Sequence, residues 1–435
     1  MELSAVKKSV EKKAIIHILF PLFIASILAF LDRVNISFAA SHVNQDLGFT
    51  ASVYGMGAGI FFAGYVLFEV PGALIAERWS PSKWIARILF TWGATCMLMA
   101  FMQNEWHFYI LRFLLGACEA SFYPVVYASI IPRWFTSETR ARAISITLTS
   151  LLFSAIIGAP LAGWMVELTP FGFKGWQSLF LLEGGITVLY GFVFLFGIKD
   201  NPAEVSWLND EEKQYLITTL KTENETKVKA KHFTITQALL DKKVLYLCAT
   251  YFFWITGFWG FNFWMPQVLA SATGWSASEV GFAAVIPMTI ALVVMILLGN
   301  SASAKKEYRL HVSLPLAFAS VGFFIGAASN SPVIAFISVI IVAVGTYAPM
   351  GTWWSIPTTF LTGAAAAGAT GLINSVGNIG GFLGPYAIGV IKDVTGNHVF
   401  AYYYLAGSLL LSAVMVFCLK KSKAEDSALA TKQGA

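Results

Sequence analysis

The chain has 435 residues, of which 57% are hydrophobic and only 12% are charged, and its mean hydropathy is +0.67. A soluble domain has about twice this charged fraction. The composition therefore excludes a soluble enzyme, a disordered chain and a disulfide-rich secreted fold. The four cysteines lie in apolar runs without CxxC spacing, so they indicate neither a metal site nor a disulfide framework.

Twelve apolar stretches have about the length that a helix needs to cross a bilayer. They cover residues 15–40, 51–76, 83–102, 107–131, 143–166, 177–198, 244–270, 277–299, 310–328, 332–360, 364–391 and 399–419. Backbone groups in lipid must be hydrogen-bonded within their own segment, and the alternation of barrel strands is absent, so the stretches predict helices. The first stretch is also too long for a cleavable signal peptide. The predicted fold class is an all-α membrane protein with two pseudo-symmetric bundles of six transmembrane helices.

The basic residues predict an orientation for these helices. If the N-terminus is cytoplasmic, 25 of the 29 lysines and arginines fall in the cytoplasmic tails and loops. Only Lys174 and Lys392 fall in loops on the other side. Because cytoplasmic loops are enriched in basic residues, both termini are expected in the cytoplasm. The net charge of +5 is then a topology signal and requires no nucleic-acid partner.

The hydrophilic stretch 199–243 predicts a cytoplasmic linker between an N-terminal bundle at 1–198 and a C-terminal bundle and tail at 244–435. Within the linker, Asn209 and the three acidic residues after it indicate the start of a short helix over 209–221.

An internal repeat supports this division into two halves. Gly163, Glu167 and Thr169 at the end of the fifth stretch match Gly389, Asp393 and Thr395 at the end of the eleventh. Each matched pair is 226 positions apart. Parallel repeats of six helices are typical of transporters whose halves rock about a site near the membrane midplane.

Four charged residues in the predicted spans have apolar sequence on both sides: Asp32 and Arg33 in the first span, Arg112 and Glu119 in the fourth. Charges at such depths cost a few kcal/mol each unless they pair or face a water-filled cavity. The arginine side chains have forked donors that match a carboxylate, and the acids can gain and lose a proton. The set therefore indicates proton coupling and anion binding. The alternative is a set of static ion pairs that only fix helix packing.

Other polar and aromatic residues in the spans are weaker candidates. Glu69, near the end of the second span, either gates one side of the membrane or bonds to a neighbouring loop. Asn262, Trp354 and Asn374 lie in the seventh, tenth and eleventh spans and suit a polyol or an aromatic ring, although ordinary bundle packing also explains them. The histidines lack ligand spacing and no phosphate-binding loop is present, so neither a metal nor a cofactor is expected.

Several segments together resemble the major facilitator superfamily, and within it the anion:cation symporter family. They are residues 31–35, 116–124, 134–140, 175–184, 357–358 and 378–385. The loop at 72–78 departs from the superfamily pattern, because Glu77 stands where Asp is usual. The resemblance implies the same twelve-helix fold and proton-coupled uptake of organic anions.

The resemblance also implies roles for individual residues. By motif position, Asp32 and Glu119 look like the proton-coupling acids of the family. Arg33 and Arg112 look like its carboxylate-binding and charge-relay arginines. Tyr65 matches a position that lines the family's cavity, and Asn374 is a further substrate-binding candidate.

The leading hypothesis is a monomeric proton symporter of the bacterial inner membrane for a sugar acid such as an aldonate, a hexuronate or an aldarate. Its partners would be the organic anion, protons and the lipid bilayer, and it would not be an enzyme. An alternative substrate is an aromatic or dicarboxylic acid such as phthalate, hydroxyphenylacetate or tartrate. An alternative of another class is a membrane receptor without transport activity.

Overall fold

The computed structural model describes residues 3–228, 241–329, 331–358 and 363–419. These residues are almost entirely helical and contain no β-strand. All twelve predicted stretches lie on helices, as far as these residues cover them. We number the corresponding helices α1 to α12 and name the helix between α6 and α7 the linker helix.

In the first half, α1 joins Leu3–Ala14, a π-helical segment Ile15–Leu19 and Phe20–Leu47; α2 is Ala51–Trp79; α3 is Pro81–Met99; α4 comprises Glu105–Glu119, Phe122–Val125, the π-helical Val126–Ile130 and Ile131–Trp134; α5 is Ser137–Met165; α6 joins Gly175–Phe192 and the π-helical Val193–Gly197. The linker helix is Asp210–Val228.

In the second half, α7 is Lys242–Thr273; α8 is Ala277–Lys305; α9 is Arg309–Ala327; α10 comprises Pro332–Tyr347, Met350–Trp353 and Ser355–Thr358; α11 is Gly363–Thr395; α12 is Val399–Phe417. Ten of the twelve have the length and apolar composition to cross a membrane, among the residues described. The other two are α3 and α11, which cover the predicted stretches 83–102 and 364–391.

Two spans that the sequence predicts as continuous helices are interrupted. In α4 the regular helix ends at Glu119, and Ser121 adopts a left-handed conformation with φ of 71° before the helix resumes. Pro124 explains the break, because it has no N–H to donate to the carbonyl group of Ala120. In α10 the first helix ends at Tyr347, just before Pro349. Residues 359–360, the end of this predicted span, lie outside the described part of the chain.

The chain forms two compact units, each of which combines separate stretches of the sequence. The first unit comprises Met1–Arg33, Gly64–Ser154 and Gln177–Lys231. Its α3 packs against α4, with the buried rings of Trp92 and Phe122 in edge contact at 6.2 Å.

The second unit comprises Val34–Ala63, Ala155–Trp176 and His232–Ala435. Here α7 packs against α10, α11 and α12. The contact with α11 is close because glycines face the α7 backbone. A methyl group built on Gly380 would lie 2.4 Å from the carbonyl oxygen of Phe252. A methyl group built on Gly384 would lie 2.3 Å from the carbonyl oxygen of Thr256. The prediction of bundles at 1–198 and 244–435 stays a prediction.

The linker helix begins at Asp210, one residue after the predicted start, and extends beyond the predicted end, to Val228. Asn209 Oδ1 accepts from the Glu212 amide at 2.8 Å, and Glu212 Oε2 accepts from the Asn209 amide at 2.9 Å. Ser9 and Lys13 of α1 also donate to the Glu212 carboxylate, at 2.6 and 2.7 Å. Burial alone would raise the pKa of Glu212, but these hydrogen bonds outweigh it and hold that pKa below its ordinary value of 4.5. Residues 229–240, the rest of the predicted linker, lie outside the described residues.

We expect acid to loosen the linker helix from α1. The pKa of Glu212 is lower in the docked state than in the free state, so its contribution to docking is complete above pH 4.5 and is lost as the pH falls through the docked-state pKa. Hydrogen exchange of residues 210–223, corrected for intrinsic rates, should therefore accelerate below pH 4.5. Glu212→Gln should accelerate it already at pH 7, whereas the exposed Glu225→Gln should not. Equal behaviour of the two variants would contradict this account.

We expect Gly64→Ala to destabilise the first unit. A methyl group on Gly64 would lie 2.1 Å from the carbonyl oxygen of Phe113, so α2 and α4 would have to separate. Thermal unfolding in detergent should show a midpoint lower by several degrees. Gly185→Ala is the matched control, because a methyl group there meets no atom within 4 Å and alanine favours a helix. Equal midpoints for the two variants would show that the α2–α4 contact is not close.

Candidate functional site

The centre of the candidate site is a buried ion pair between α1 and α4 in the first unit. Arg33 Nη2 donates to Glu119 Oε1, and the exposed fractions of the two side chains are 10% and 0%. The second carboxylate oxygen of Glu119, Oε2, is buried and receives no hydrogen bond from the residues described. One oxygen of this carboxylate is therefore engaged by a cation, and the other is the position at which a proton would be accommodated.

A second arginine and an aromatic ring complete the surroundings of the pair. Arg112 is fully buried, and its Nη1 lies 3.5 Å from the carbonyl oxygen of Arg33. Its charge also acts on Glu119, which lies two helical turns further along α4. The Arg33 guanidinium lies 5.2 Å from the ring centre of Tyr65 on α2, in a cation–π contact. The structure thus brings Arg33, Arg112, Glu119 and Tyr65 together.

Asp32 is adjacent to Arg33 in sequence but has partners on other helices. Its carboxylate is 1% exposed and accepts hydrogen bonds from Thr187 Oγ1 of α6 at 2.8 Å and from Cys96 Sγ of α3 at 3.5 Å. The Glu119 charge acts on this carboxylate as well. Asp32 therefore belongs to the same electrostatic cluster, although donors without charge hold its side chain.

A close contact between two glycines explains why Cys96 and Thr187 both reach Asp32. Gly93 on α3 and Gly184 on α6 face each other closely. A methyl group on Gly93 would lie 2.7 Å from the carbonyl oxygen of Gly184, and one on Gly184 would lie 2.5 Å from the carbonyl oxygen of Gly93. Cys96 and Thr187 each lie three residues further along the same helices, about one turn away. The close backbone approach therefore presents a thiol and a hydroxyl group together to α1.

The break in α4 fixes the local environment of Glu119. The left-handed Ser121 follows two residues later, and its Oγ accepts from Trp84 Nε1 at 3.0 Å. A methyl group on Gly72 of α2 would lie 2.5 Å from the same Oγ. Because Ser121 is tied to α3 and packed against α2, the end of the first α4 segment, and with it Glu119, has a defined position.

Glu69 lies one helical turn beyond Tyr65 on α2 and is 4% exposed. Its charge acts on the Tyr65 phenol, so it lies at the edge of the cluster. The α2 helix continues past Pro71, two residues further along. The predicted gating role of Glu69 stays a prediction.

The three remaining predicted residues lie in the second unit. Asn262 is 7% exposed, donates to the carbonyl oxygen of Phe258 at 2.8 Å and accepts from the Tyr347 hydroxyl at 2.5 Å. The half-buried Trp354 packs edge-on against Tyr251, with ring centres 5.2 Å apart. Asn374 is half-buried on α11. The amide of Asn262 thus joins α7 to α10.

Four further side chains belong to the cluster, although sequence analysis assigned them no role there: Cys96, Tyr123, Tyr127 and Thr187. The charges of Arg33 and Glu119 act on the Tyr123 phenol. Tyr127 stacks on Tyr123 at 5.8 Å, and its buried hydroxyl group has no hydrogen-bond partner among the described residues. The spacing of the two tyrosines, four residues apart and just after Glu119, was the available signal.

The cluster contains two cations and two carboxylates, so its formal charge is zero when both acids are ionised. Each proton that it takes up adds one positive charge, which an entering carboxylate would neutralise. No group of three or more metal-ligating side chains occurs in the part of the chain that the structure describes. This chemistry suits the binding of protons together with an organic anion.

Comparison with known proteins identifies the type of molecule. The family model described as Major Facilitator Superfamily matches residues 22–385. A candidate tartrate transporter of Agrobacterium vitis is 41% identical over 91% of this chain and 88% of its own. The quinolone resistance transporter of Acinetobacter baumannii is 34% identical over 94% and 95% of the two chains. A candidate galactarate/D-glucarate transporter of Escherichia coli is 26% identical over 96% of each.

A solved structure has the same fold at low sequence identity. The xylose transporter of Escherichia coli, in an inward-open conformation, superimposes with a TM-score of 0.74 and 13% identity over 96% of this chain and 99% of its own. The predicted fold class is confirmed. The relatives are multi-pass membrane transporters and not enzymes, as expected.

We expect the effects of replacing Arg33 and Glu119 on the stability of the protein to be non-additive. Replacing one member of a buried ion pair leaves an uncompensated charge and costs about 3–5 kcal/mol, whereas replacing both by apolar groups costs much less. Glu119→Leu should therefore lower the thermal midpoint in detergent more than the double variant Arg33→Met with Glu119→Leu does. The exposed pair of Glu77 and Arg133, 3.0 Å apart, is the control, because its removal should change the midpoint little. Additive losses at the buried pair would contradict this prediction.

Proposed function

Because the chain belongs to the Major Facilitator Superfamily and is a secondary transporter of organic anions, we propose that it couples uptake of a hydroxylated carboxylate to protons. The observation that carries the proposal is the buried pair of Arg33 and Glu119, with Arg112 beside it. This chain is similar to proteins that are named as transporters, which argues against the alternative of a membrane receptor without transport activity.

In the proposed cycle, a proton releases an arginine for the substrate. Glu119 Oε1 accepts a hydrogen bond from the Arg33 guanidinium, and Oε2 receives none from the residues that the structure describes. Protonation at Oε2 removes the negative charge that holds Arg33. A substrate carboxylate then replaces the Glu119 carboxylate as the partner of that arginine, since a guanidinium binds a carboxylate with two parallel hydrogen bonds.

Asp32 and Arg112 provide a second protonatable acid and a second cation in the same cluster. A monocarboxylate would be balanced by one proton and a dicarboxylate by two. Both charged arginines remain in place throughout, so the acids carry the changes in charge. We propose one proton for each substrate carboxylate, with Arg112 binding or relaying the second charge.

The proposed substrate class is a sugar acid, and the aldarates fit best. Tartrate, galactarate and glucarate, for which two relatives are named, are all dicarboxylates with hydroxyl groups along the chain. Two buried cations match two carboxylates. Hydroxyl groups need hydrogen-bonding partners, for which we propose Tyr65 and the Tyr127 hydroxyl, which has no hydrogen-bond partner among the described residues. Asn374, Asn262 and Trp354 of the second unit stay substrate-binding candidates on the sequence alone.

An aromatic carboxylate is the second candidate substrate. A relative named for quinolone resistance favours it, as does the cluster of rings around Tyr251 in the second unit. Tyr251 stacks on Trp353 at 5.5 Å and packs edge-on against Trp354. Competition between tartrate or glucarate and phthalate in the transport assay below separates the two classes.

The proposed setting is the inner membrane of a bacterial cell, with a monomeric transporter and both termini in the cytoplasm. The excess of basic residues on one side of the predicted spans supports this orientation. In it, α2 and α8 begin at the periplasmic side, and Glu69 lies toward the cytoplasmic end of α2. There we propose that it gates the cytoplasmic pathway.

We expect the two acids to be required for coupling but not for exchange. In proteoliposomes with an imposed pH gradient, Asp32→Asn and Glu119→Gln should abolish accumulation of the aldarate. Both should retain exchange of labelled for unlabelled substrate, because a neutral amide resembles the protonated acid. Glu183→Gln is the matched control: it is also a buried carboxyl group, on α6, and it should keep both activities. Normal accumulation by both acid variants would refute the coupling.

We also expect Arg112→Ala to weaken substrate binding by about 10- to 100-fold, the loss of one charge-assisted hydrogen bond to a buried cation. The substrate-induced rise in thermal midpoint measures this in detergent without any gradient. Arg87→Ala is the control, since Arg87 lies over the ring of Trp84, 4.0 Å from its centre, outside the cluster. Equal loss in both variants would show that Arg112 acts through stability alone.

A further inference from the structure

At one end of the second unit, an acidic side chain joins α11 to the start of α2. The Asp393 carboxylate accepts hydrogen bonds from the backbone amides of Ala51 at 3.1 Å and Ser52 at 2.8 Å. The backbones are also in close contact here, because a methyl group on Gly389 would lie 2.3 Å from the carbonyl oxygen of Ala51. One turn further along α2, a methyl group on Gly55 would lie 2.5 Å from the carbonyl oxygen of Pro385.

A second acidic side chain joins α5 to the start of α8 in the same way. The Glu167 carboxylate, just after α5, accepts from the backbone amide of Ser278 at 2.8 Å. A methyl group on Gly163 would lie 2.3 Å from the carbonyl oxygen of Ala277. One on Gly281 would lie 2.3 Å from the carbonyl oxygen of Ala159.

The two contacts are related by the internal repeat. Every residue of one contact lies 226 positions from its counterpart in the other, as Glu167 does from Asp393. The pairs are Ala51 and Ala277, Ser52 and Ser278, Gly55 and Gly281, Ala159 and Pro385, Gly163 and Gly389, and Glu167 and Asp393. The repeat therefore preserves an acid, two glycines and the first turn of the receiving helix in both halves of the chain.

Each receiving helix also has a local cap of its own, which satisfies other amides of the first turn. The first turn of α2 already receives the Thr50 hydroxyl group, which accepts from the Val53 amide at 3.3 Å. The start of α8 has a complete local capping box, in which Ser276 and Glu279 each accept from the other's backbone amide. Glu167 and Asp393 come from other helices, so what they add is a connection between helices.

The strength of the contacts suits a connection that opens and closes. A carboxylate at a helix N-terminus is favoured by the unpaired amides and by the helix dipole. Both side chains are exposed to solvent, so water can replace the amides when a contact breaks. The glycines leave no interlocking side chains at the closest points, which lets the paired helices separate and re-form the same contact.

We propose that Glu167 and Asp393 are two latches that hold α5 against α8 and α11 against α2 in one state of the transport cycle, and that both release in the other state. This inference rests on the proposed transport function, because a cycle requires these helix pairs to separate. In the proposed orientation the latches close the periplasmic end. They act as one device, since the halves of a rocking transporter move together.

The test is the reactivity of a cysteine placed inside one contact. Ala159 is 5% exposed and lies against Gly281, so the Ala159→Cys side chain should be reached by a membrane-impermeant maleimide only when α5 and α8 separate. The full chain is used in right-side-out vesicles with the exposed Cys418 replaced by serine. The same chain without Ala159→Cys gives the background.

We expect Glu167→Ala to accelerate labelling about fivefold, the change in an equilibrium that loss of one helix cap typically causes. Asp393→Ala should accelerate labelling at the same cysteine by a similar factor, although it lies on the other contact. Glu167→Gln, which keeps an oxygen acceptor without the charge, should have a smaller effect. It also provides a test if the alanine variants fold poorly.

Glu279→Ala is the matched control, because it removes a cap from the same turn of α8 without touching α5. It should lower the thermal midpoint and leave the labelling rate unchanged. An equal acceleration by Glu279→Ala, or no acceleration by Asp393→Ala, would overturn the proposal and reduce both acids to local caps. The labelling needs neither a substrate nor a proton gradient, so its failure is distinct from a failure of the proposed function.

Discussion

The structure of the first unit depends on keeping four charged side chains inside helices that cross a membrane. Each charge must have a partner there, because neither lipid nor an apolar core stabilises it. Arg33 and Glu119 satisfy one another, and the hydroxyl and thiol groups of Thr187 and Cys96 satisfy Asp32. The packing of α3, α4 and α6 around α1 supplies these partners. Local features that otherwise look like defects, such as the break after Glu119 and the glycines at the α3–α6 contact, place the partners within reach.

Much of this could be predicted from the sequence, because the signals are local. Apolar length predicts the helices, and a charge within an apolar stretch is visible without any coordinates. The partners of those charges were not predictable, since each pair joins residues far apart in the chain. Arg33 and Glu119 were expected to act with Asp32 and Arg112 as one set, but nothing in the sequence indicated that Thr187 and Cys96 hold Asp32. The break in α4 had a local cause in Pro124, and only its position relative to Glu119 required the fold.

The glycines have two different uses in this fold, and their neighbours distinguish them. Gly93 and Gly184 lie next to a buried acid whose hydrogen bonds need a fixed distance between helices. Gly163 and Gly281 lie next to exposed carboxylates, where water can replace each hydrogen bond. The same small residue therefore serves a permanent contact in one place and a separable contact in the other. Composition alone, which counts both as small residues, cannot separate these roles.

The two kinds of acid differ in what replaces their partner. Glu119 is fully buried, so we propose that a proton or another anion balances the charge when Glu119 loses the Arg33 contact. When Glu167 or Asp393 loses its hydrogen bonds to backbone amides, water replaces those amides at a small cost in free energy. We therefore propose that proton coupling depends on Asp32 and Glu119, because at these buried positions a change of partner requires a change in protonation. The exposed acids can influence which state is populated, but they leave the charge carried per cycle unchanged. Burial beside Arg33 and Arg112 therefore distinguishes the proposed coupling acids from the exposed Glu167 and Asp393.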